Sequence, residues 1–276
     1  MALGIASGGT PQAGIYAAIV GGFLVSMLSG SKFQISGPSG AFVVFVASIA
    51  ERYGSSGLQM ITLMAGAILL FMGITNLGNS IKFLPRCIIV GLANGIAVLI
   101  GAKAINDVLG LHVSTAPGKF LPLLSDFVKH LNSLGMWTGV LAIASLAVII
   151  LTPAFIPKLP GSIVALTLGT AAARFFHLPV QTIGTRFGNI PSGLPSLVLP
   201  VFQLNLIAPL LIPAFALAIL ISMESLLSAV VADTLSGARH NSRAELLGQG
   251  IANLCVPMVG GLPVAGAVVP TAANFR

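Results

Sequence analysis

One acidic side chain stands inside a long apolar run: Glu224, in Leu217-Ala218-Ile219-Leu220-Ile221-Ser222-Met223-Glu224-Ser225-Leu226-Leu227-Ser228. It is the only acid that the hydropathy pattern places well inside a span. A carboxyl in hydrocarbon is costly when ionised and unpaired, so it normally lines a cavity and often carries protons or ions. Ser228, four residues later, lies on the same helical face and can offer a hydroxyl to that cavity. This pair is the candidate coupling-ion site. A protonated Glu224 bonded to a neighbouring helix is the structural alternative.

Two short stretches interrupt the apolar pattern in the same way. Gly37-Pro38-Ser39-Gly40-Ala41-Phe42-Val43-Val44 lies near the start and Leu262-Pro263-Val264-Ala265-Gly266-Ala267-Val268-Val269 near the end. Each is a proline followed by small residues and then an apolar run. The preceding Lys32-Phe33-Gln34-Ile35-Ser36 is too polar and β-branched to begin a full span, so a helix is expected to start at Ser39, partway through the membrane. Pro38 sits where a helix start tolerates it. The second stretch, after Gly260-Gly261, is expected to start a helix at Val264. A helix that begins at the midplane leaves amide N–H groups unpaired there and directs the positive end of its dipole at them. That is anion chemistry. The candidate substrate-binding residues are Ser39, Gly40 and Ala41 with Gly266, Ala267 and Val268. Two ordinary proline-kinked helices would give the same pattern. On the site reading, valine at Gly40 or Gly266 is expected to weaken anion binding more than valine at Gly21 or Gly95.

The elements that must hold these groups are membrane spans. Only 7% of residues are charged, far below the roughly 25% of a soluble domain. Mean hydropathy is +1.02. Apolar segments fall at about 1–8, 12–30, 38–50, 58–77, 83–105, 134–152, 160–176, 205–232, 244–259 and 263–275. Backbone amides cannot be left bare against lipid, so the full spans must be helices and the fold class is an all-α membrane protein, a polytopic helical bundle. The glycines inside spans mostly read as close helix packing. The stretch 177–204, with Pro179, Gly184, Gly188, Pro191, Gly193, Pro195 and Pro200, reads as an extramembrane loop dividing the chain into two blocks of spans.

Other chemistry is weakly represented. The formal net charge is +7, but the basic residues are scattered singly and no aromatic platform interleaves them, which excludes nucleic acid as a partner. If the chain starts from the cytoplasmic side, Lys32, Lys82, Arg86, Lys158, Arg239 and Arg243 fall in short cytoplasmic connections and Arg52, Lys103, Lys119, Lys129, Arg174 and Arg186 outside, several in long loops, an orientation that the positive-inside rule mildly favours. Cys87 and Cys255 form no metal-ligand spacing, and His112, His130, His177 and His240 sit at span ends or in loops, so neither metal nor cofactor is expected. Asn94, Gln249 and Asn253 read as interhelical hydrogen-bonding residues, and Lys103 with Asp107 as an i,i+4 interfacial pair. There is no HExxH, GxSxG, P-loop or GxGxxG pattern, so no enzyme is expected.

The run Gln34-Ile35-Ser36-Gly37-Pro38-Ser39-Gly40-Ala41-Phe42-Val43-Val44 resembles the third-span signature of the sulfate permease (SulP) anion transporters. So do Glu224-Ser225-Leu226-Leu227-Ser228-Ala229-Val230-Val231-Ala232-Asp233, then Gly237, His240-Asn241-Ser242, Glu245-Leu246, Gly248-Gln249-Gly250 and Gly260-Gly261-Leu262-Pro263. The resemblance implies fourteen spans in two inverted seven-span repeats, a core domain moving against a gate domain, and a cytoplasmic STAS domain. On it, residues 1–276 form a partial transmembrane domain whose first and last segments are incomplete, with four spans and the STAS domain missing. The resemblance also places the anion between the half-helices of the third and tenth spans, with side chains of the first and eighth closing the site. Where this chain has Pro270, the family commonly carries an arginine, so the dipoles would here act with one cation fewer.

The function implied is secondary active transport of a small inorganic or carboxylate anion, such as sulfate, bicarbonate or a dicarboxylate, by symport with H⁺ or Na⁺. Membrane lipid is the surrounding partner, a homodimer is one assembly left open, and the bacterial inner membrane is the expected location. A nucleobase permease would share the architecture but grip a neutral ring with carboxylates. A non-transporting truncated membrane protein is the third reading.

Overall fold

The computed structural model describes residues 1–77, 86–111, 135–156, 159–188, 195, 197, 200 and 203–275. Several side chains between 86 and 106 also lie outside the description, Cys87 and Lys103 among them. Expectations for Lys82, His112, Lys119, Lys129, His130, Lys158, Pro191 and Gly193 fall on undescribed residues.

Ten helices and one two-stranded ribbon make up the described chain: α1 Ala2–Ala6, α2 Pro11–Leu28, β1 Ser36–Pro38, α3 Gly40–Ile74, α4 Arg86–Leu109, α5 Met136–Phe155, α6 Gly161–Phe175, α7 Ile183–Phe187, α8 Leu204–Ser236, α9 Ser242–Cys255, β2 Val264–Gly266 and α10 Val268–Ala273. Among the described residues α2, α3, α5 and α8 are long and apolar enough to cross a membrane. The two apolar segments expected at 38–50 and 58–77 are the halves of α3, broken at Gly54, whose φ of 68° and ψ of −168° no helix accommodates. In α2, a wide turn over Ala17–Gly21 interrupts regular winding.

The chain forms two compact units; one boundary, between Gly188 and Asn189, falls within the expected division at 177–204, and the other, between Ile96 and Ala97, lies inside α4 where no division was expected. Met1–Ile96 and Asn189–Arg276 make one unit, Ala97–Gly188 the other. The returning chain rejoins the first unit because β2 pairs with β1 and because α8 and α9 pack on α3. Small residues permit the close approach of α9. A Cβ on Gly66 would stand 3.0 Å from the carbonyl oxygen of Gly250, and one on Gly73 2.8 Å from the Leu247 side chain. Ile61, Leu69, Leu217, Ile221, Leu246 and Val256 fill the core of this unit.

In the second unit α5 and α6 form a helical hairpin. Only 6% of the most apolar window of α5 is buried, and Ile143, Ile150 and Phe155 are exposed. In water such a face would be untenable; within a membrane, against lipid or against other spans, it is ordinary. Asp107, expected beside Lys103, meets Arg186 at 3.8 Å, both ends exposed. That arginine belongs to α7, a short capped helix within the stretch read as loop, where the Thr182 hydroxyl accepts from the Thr185 amide.

Candidate functional site: a ribbon clamped by one helix

The two interrupted stretches find each other. β1 and β2 pair antiparallel with Ser36 opposite Gly266, Gly37 opposite Ala265 and Pro38 opposite Val264. The sequence expectation is half right. Ser39 is indeed a helix cap: its backbone is extended, its hydroxyl accepts from the Ala41 amide at 3.2 Å, and a 3₁₀ turn over Gly40–Phe42 leads into α3. Val264, by contrast, does not begin a helix. It opens β2, and α10 starts four residues later at Val268. Pro38 likewise closes β1 and precedes the cap. Because the strands run antiparallel, α3 and α10 leave opposite ends of the ribbon. Pro270 is the third residue of α10, where a missing N–H removes no helical bond.

A single stretch of α8 reaches both helix starts. The Ser39 hydroxyl donates to Glu224 Oε1. Ser225 Oγ accepts from the Gly266 amide at 2.9 Å, while its carbonyl accepts from Gln34 Nε2 at 3.2 Å. Ser228 Oγ shares a hydrogen bond with Thr271 Oγ1 at 2.9 Å, and Thr271 Oγ1 accepts from the Ile35 amide at 3.0 Å. Glu224 and Ser228 therefore hold different partners: the first the cap of α3, the second α10. Glu224 Oε2 is buried with no hydrogen-bond partner among the described residues.

Of the six expected anion contacts, three have their amides engaged within the protein. Besides the Gly266 amide, the Ala267 amide donates to Ile35 O at 2.9 Å and the Ala41 amide to its cap. These bonds give the ribbon its shape. The first-turn amides of Gly40 and Val268 have no carbonyl one turn back within their own helices.

Sequence reasoning passed over several members of this assembly. Gln34, Ser36, Ser225 and Thr271 are buried polar residues in direct contact with the ribbon. Glu245 is fully buried, more so than Glu224, so Glu224 is not the only interior acid. Gln249 and Asn253 behave as expected of interior hydrogen-bonding residues. Gln249 Nε2 donates to Ser36 Oγ at 3.1 Å and Glu245 Oε1 at 3.1 Å. Asn253 closes a two-point contact with the backbone of Val264, donating to its carbonyl at 2.8 Å and accepting from its amide at 2.9 Å. An Asn253→Leu substitution would leave both main-chain groups unpaired, at about 1–3 kcal/mol each. The expected result is a melting temperature in detergent several degrees below wild type; an unchanged melting temperature would show that the contact does not hold the ribbon. No group of three metal-ligating side chains occurs among the described residues. His240 instead bonds Asp233 Oδ2 through Nδ1 at 2.6 Å and Ser242 Oγ through Nε2 at 3.0 Å, tying the end of α8 to the start of α9.

Comparison with known proteins agrees with this architecture. The family model for the sulfate permease family matches residues 1–276. The chain is 38% identical to the "Putative sulfate transporter YvdB" of Bacillus subtilis, over 100% of this chain and 52% of that protein. It is 32% identical to the bicarbonate transporter BicA of Synechocystis, over 96% of this chain and 48% of that one. The chain thus spans about half the length of the curated relatives it matches. Among solved structures, the transmembrane domain of a cyanobacterial bicarbonate transporter BicA superposes with a TM-score of 0.87 at 32% identity, covering 99% of this chain and 71% of that one. SLC26A9, at 17% identity and a TM-score of 0.86, shares the fold. The helices long enough and apolar enough to span a bilayer and the match along the whole chain make this an integral membrane protein that belongs to the sulfate permease family.

Proposed function

We propose that the chain belongs to a secondary transporter of small anions, with sulfate and bicarbonate the leading substrates and a dicarboxylate the third, coupled to H⁺ or Na⁺. One observation carries the reading: a single stretch of α8 bonds the cap of α3 through Glu224 and α10 through Ser228, while Ser225 holds the ribbon between them. A moving α8 would therefore act on both helix starts together. In this proposal the anion lies against the first-turn amides at Gly40 and Val268 beside Ser39. Ala41, Gly266 and Ala267 shape the surrounding backbone, and Glu224 with Ser228 answers to the coupling ion. The relatives named for sulfate and bicarbonate support anion transport, and a nucleobase substrate finds no support among them.

Uptake of labelled sulfate, bicarbonate and succinate into proteoliposomes, with pH and Na⁺ varied separately, tests the proposal. One of the three should accumulate, at a rate that depends on the H⁺ or the Na⁺ gradient. Absence of uptake for all three would favour a non-transporting membrane subunit.

A further inference from the structure

Behind the ribbon, on α9, lies a second group of buried polar side chains that the anion site does not use. Glu245 and Gln249 are each 0% exposed and Gln34 is 5% exposed. Gln249 Nε2 uses both hydrogens, one on Ser36 Oγ and one on Glu245 Oε1. Ser29 and Gln34 also face the Glu245 carboxyl. Gln34 Nε2 gives one of its two hydrogens to the Ser225 carbonyl, which leaves one N–H for the group, and the Ser29 hydroxyl donates to the Ser31 carbonyl. Three buried oxygens of this group have no hydrogen-bond partner among the described residues: Glu245 Oε2, Gln249 Oε1 and Gln34 Oε1.

The group is short of donors. Buried acceptors in native interiors are nearly always paired, and an interior carboxylate demands a counter-charge. Among the described residues no cationic side chain forms an ion pair with Glu245. The charged and titratable groups around it are few. His240 is the nearest of them to act on it, and its imidazole is bonded to Asp233 on α8. On α9 itself Arg243 is exposed; on α3, Glu51 and Arg52 are exposed; Lys32, ahead of β1, is exposed; and Glu224 on α8 is bonded to Ser39. One proton on Oε2 would change that oxygen from acceptor to donor, removing the negative charge and supplying a partner to an amide oxygen in the same step.

We propose that Glu245, with Gln249 and Gln34, is a buried proton-binding site distinct from Glu224, and that its ligand is a single proton held on Oε2 and donated to a side-chain amide oxygen. Its place in the fold gives it a mechanical consequence. Through Gln249 it holds Ser36 at the start of β1, while Glu224 holds Ser39 just past the end. The two interior acids thus grip the same strand at both ends. The inference does not depend on which anion is carried, or on whether one is.

Infrared difference spectroscopy of the purified protein at neutral pH, wild type minus Glu245→Gln, tests it. The expected difference contains the C=O stretch of a neutral carboxylic acid and persists when both proteins also carry Glu224→Gln. Carboxylate bands in its place would overturn the proposal, and carboxylate bands that move on adding Na⁺ would overturn it in favour of a metal cation. Stability gives a second readout. Glu245→Gln supplies N–H donors where the proton was and should melt within about 2 °C of wild type, whereas Glu245→Ala should melt several degrees lower. If Glu245→Gln melts as low as Glu245→Ala, a donor is not what the cluster lacks and the proposal fails.

Discussion

The Glu224→Gln variant is expected to bind and exchange anion while losing accumulation driven by a proton gradient. Glu224 Oε1 accepts the Ser39 hydroxyl and Oε2 is buried with no partner among the described residues, a position where a proton or Na⁺ can sit. A carboxylate facing an anion repels it. Cation binding at Glu224 therefore favours anion binding and, by reciprocity, the anion favours the cation. Glutamine copies the neutral form and keeps an oxygen for Ser39, so the cap of α3 should survive. What it cannot do is release the cation on the far side. For one proton per anion, a step of one pH unit supplies about 1.4 kcal/mol, or about tenfold accumulation. The variant should reach only equal concentrations inside and out while counterflow of labelled anion continues. Tenfold accumulation with an unchanged pH profile in Glu224→Gln would make this residue structural. It would then direct the search to Glu245, whose removal acts on the same strand from its other end.

These two acids show where the sequence was legible and where it was not. Glu224 lies mid-run among Leu, Ile and Ser, so its placement in a span follows from hydropathy alone. Glu245 stands four residues after Asn241, which caps α9 by accepting from the Arg243 and Ala244 amides. An acid in the first turn of a helix is ordinarily a solvent-exposed partner of the dipole, and nothing local distinguishes this one. Its burial comes from the docking of α9 under the turn at Ser29–Ser31, where the Asn241 amide donates to Gly30 O at 3.0 Å. That contact joins residues more than two hundred positions apart.

The ribbon was hidden for a related reason. The interruptions at Pro38 and Pro263 were visible, and so was the cap at Ser39, because Ser followed by small residues and an apolar run is a local signal. Three extended residues such as Val264-Ala265-Gly266 are too few to display an alternation of period two, and their composition is equally that of a packed helix. Only the partner strand decides between the two. The same is true of the polar residues that serve it. Ser225 and Thr271 look like any hydroxyl in a membrane helix until the Gly266 and Ile35 amides are placed beside them.

Valine at Gly266 is expected to be among the most damaging single changes in the chain, and the reason differs from the one the sequence suggested. A Cβ there would fall onto Gln34 Nε2 and stand 3.0 Å from the Cα of Ser225. Gln34 can swing aside only by giving up its bond to the Ser225 carbonyl, and the main chain of α8 can draw back only by giving up the bond between Ser225 and the Gly266 amide. Overpacking a tight interior costs about 1–3 kcal/mol and occasionally more, which at a binding site is about 5- to 150-fold in affinity. Gly21, ranked below Gly266 with Gly95 as a packing glycine, is also crowded: its Cβ would stand 2.6 Å from Val264 Cγ1, at the start of β2. Among the described residues nothing lies within 4 Å of a Cβ on Gly95 or on Gly37, although Gly37 is the central residue of β1. The expected order of loss in anion affinity is therefore Gly266→Val, then Gly21→Val, with Gly37→Val and Gly95→Val near wild type. A double-mutant cycle separates crowding from general damage. Gln34→Ala removes the atoms that a methyl at Gly266 would strike, so Gly266→Ala should cost less in the Gln34→Ala background than in the wild-type protein. Equal costs in the two backgrounds would mean that Gln34 and Gly266 do not meet across the ribbon.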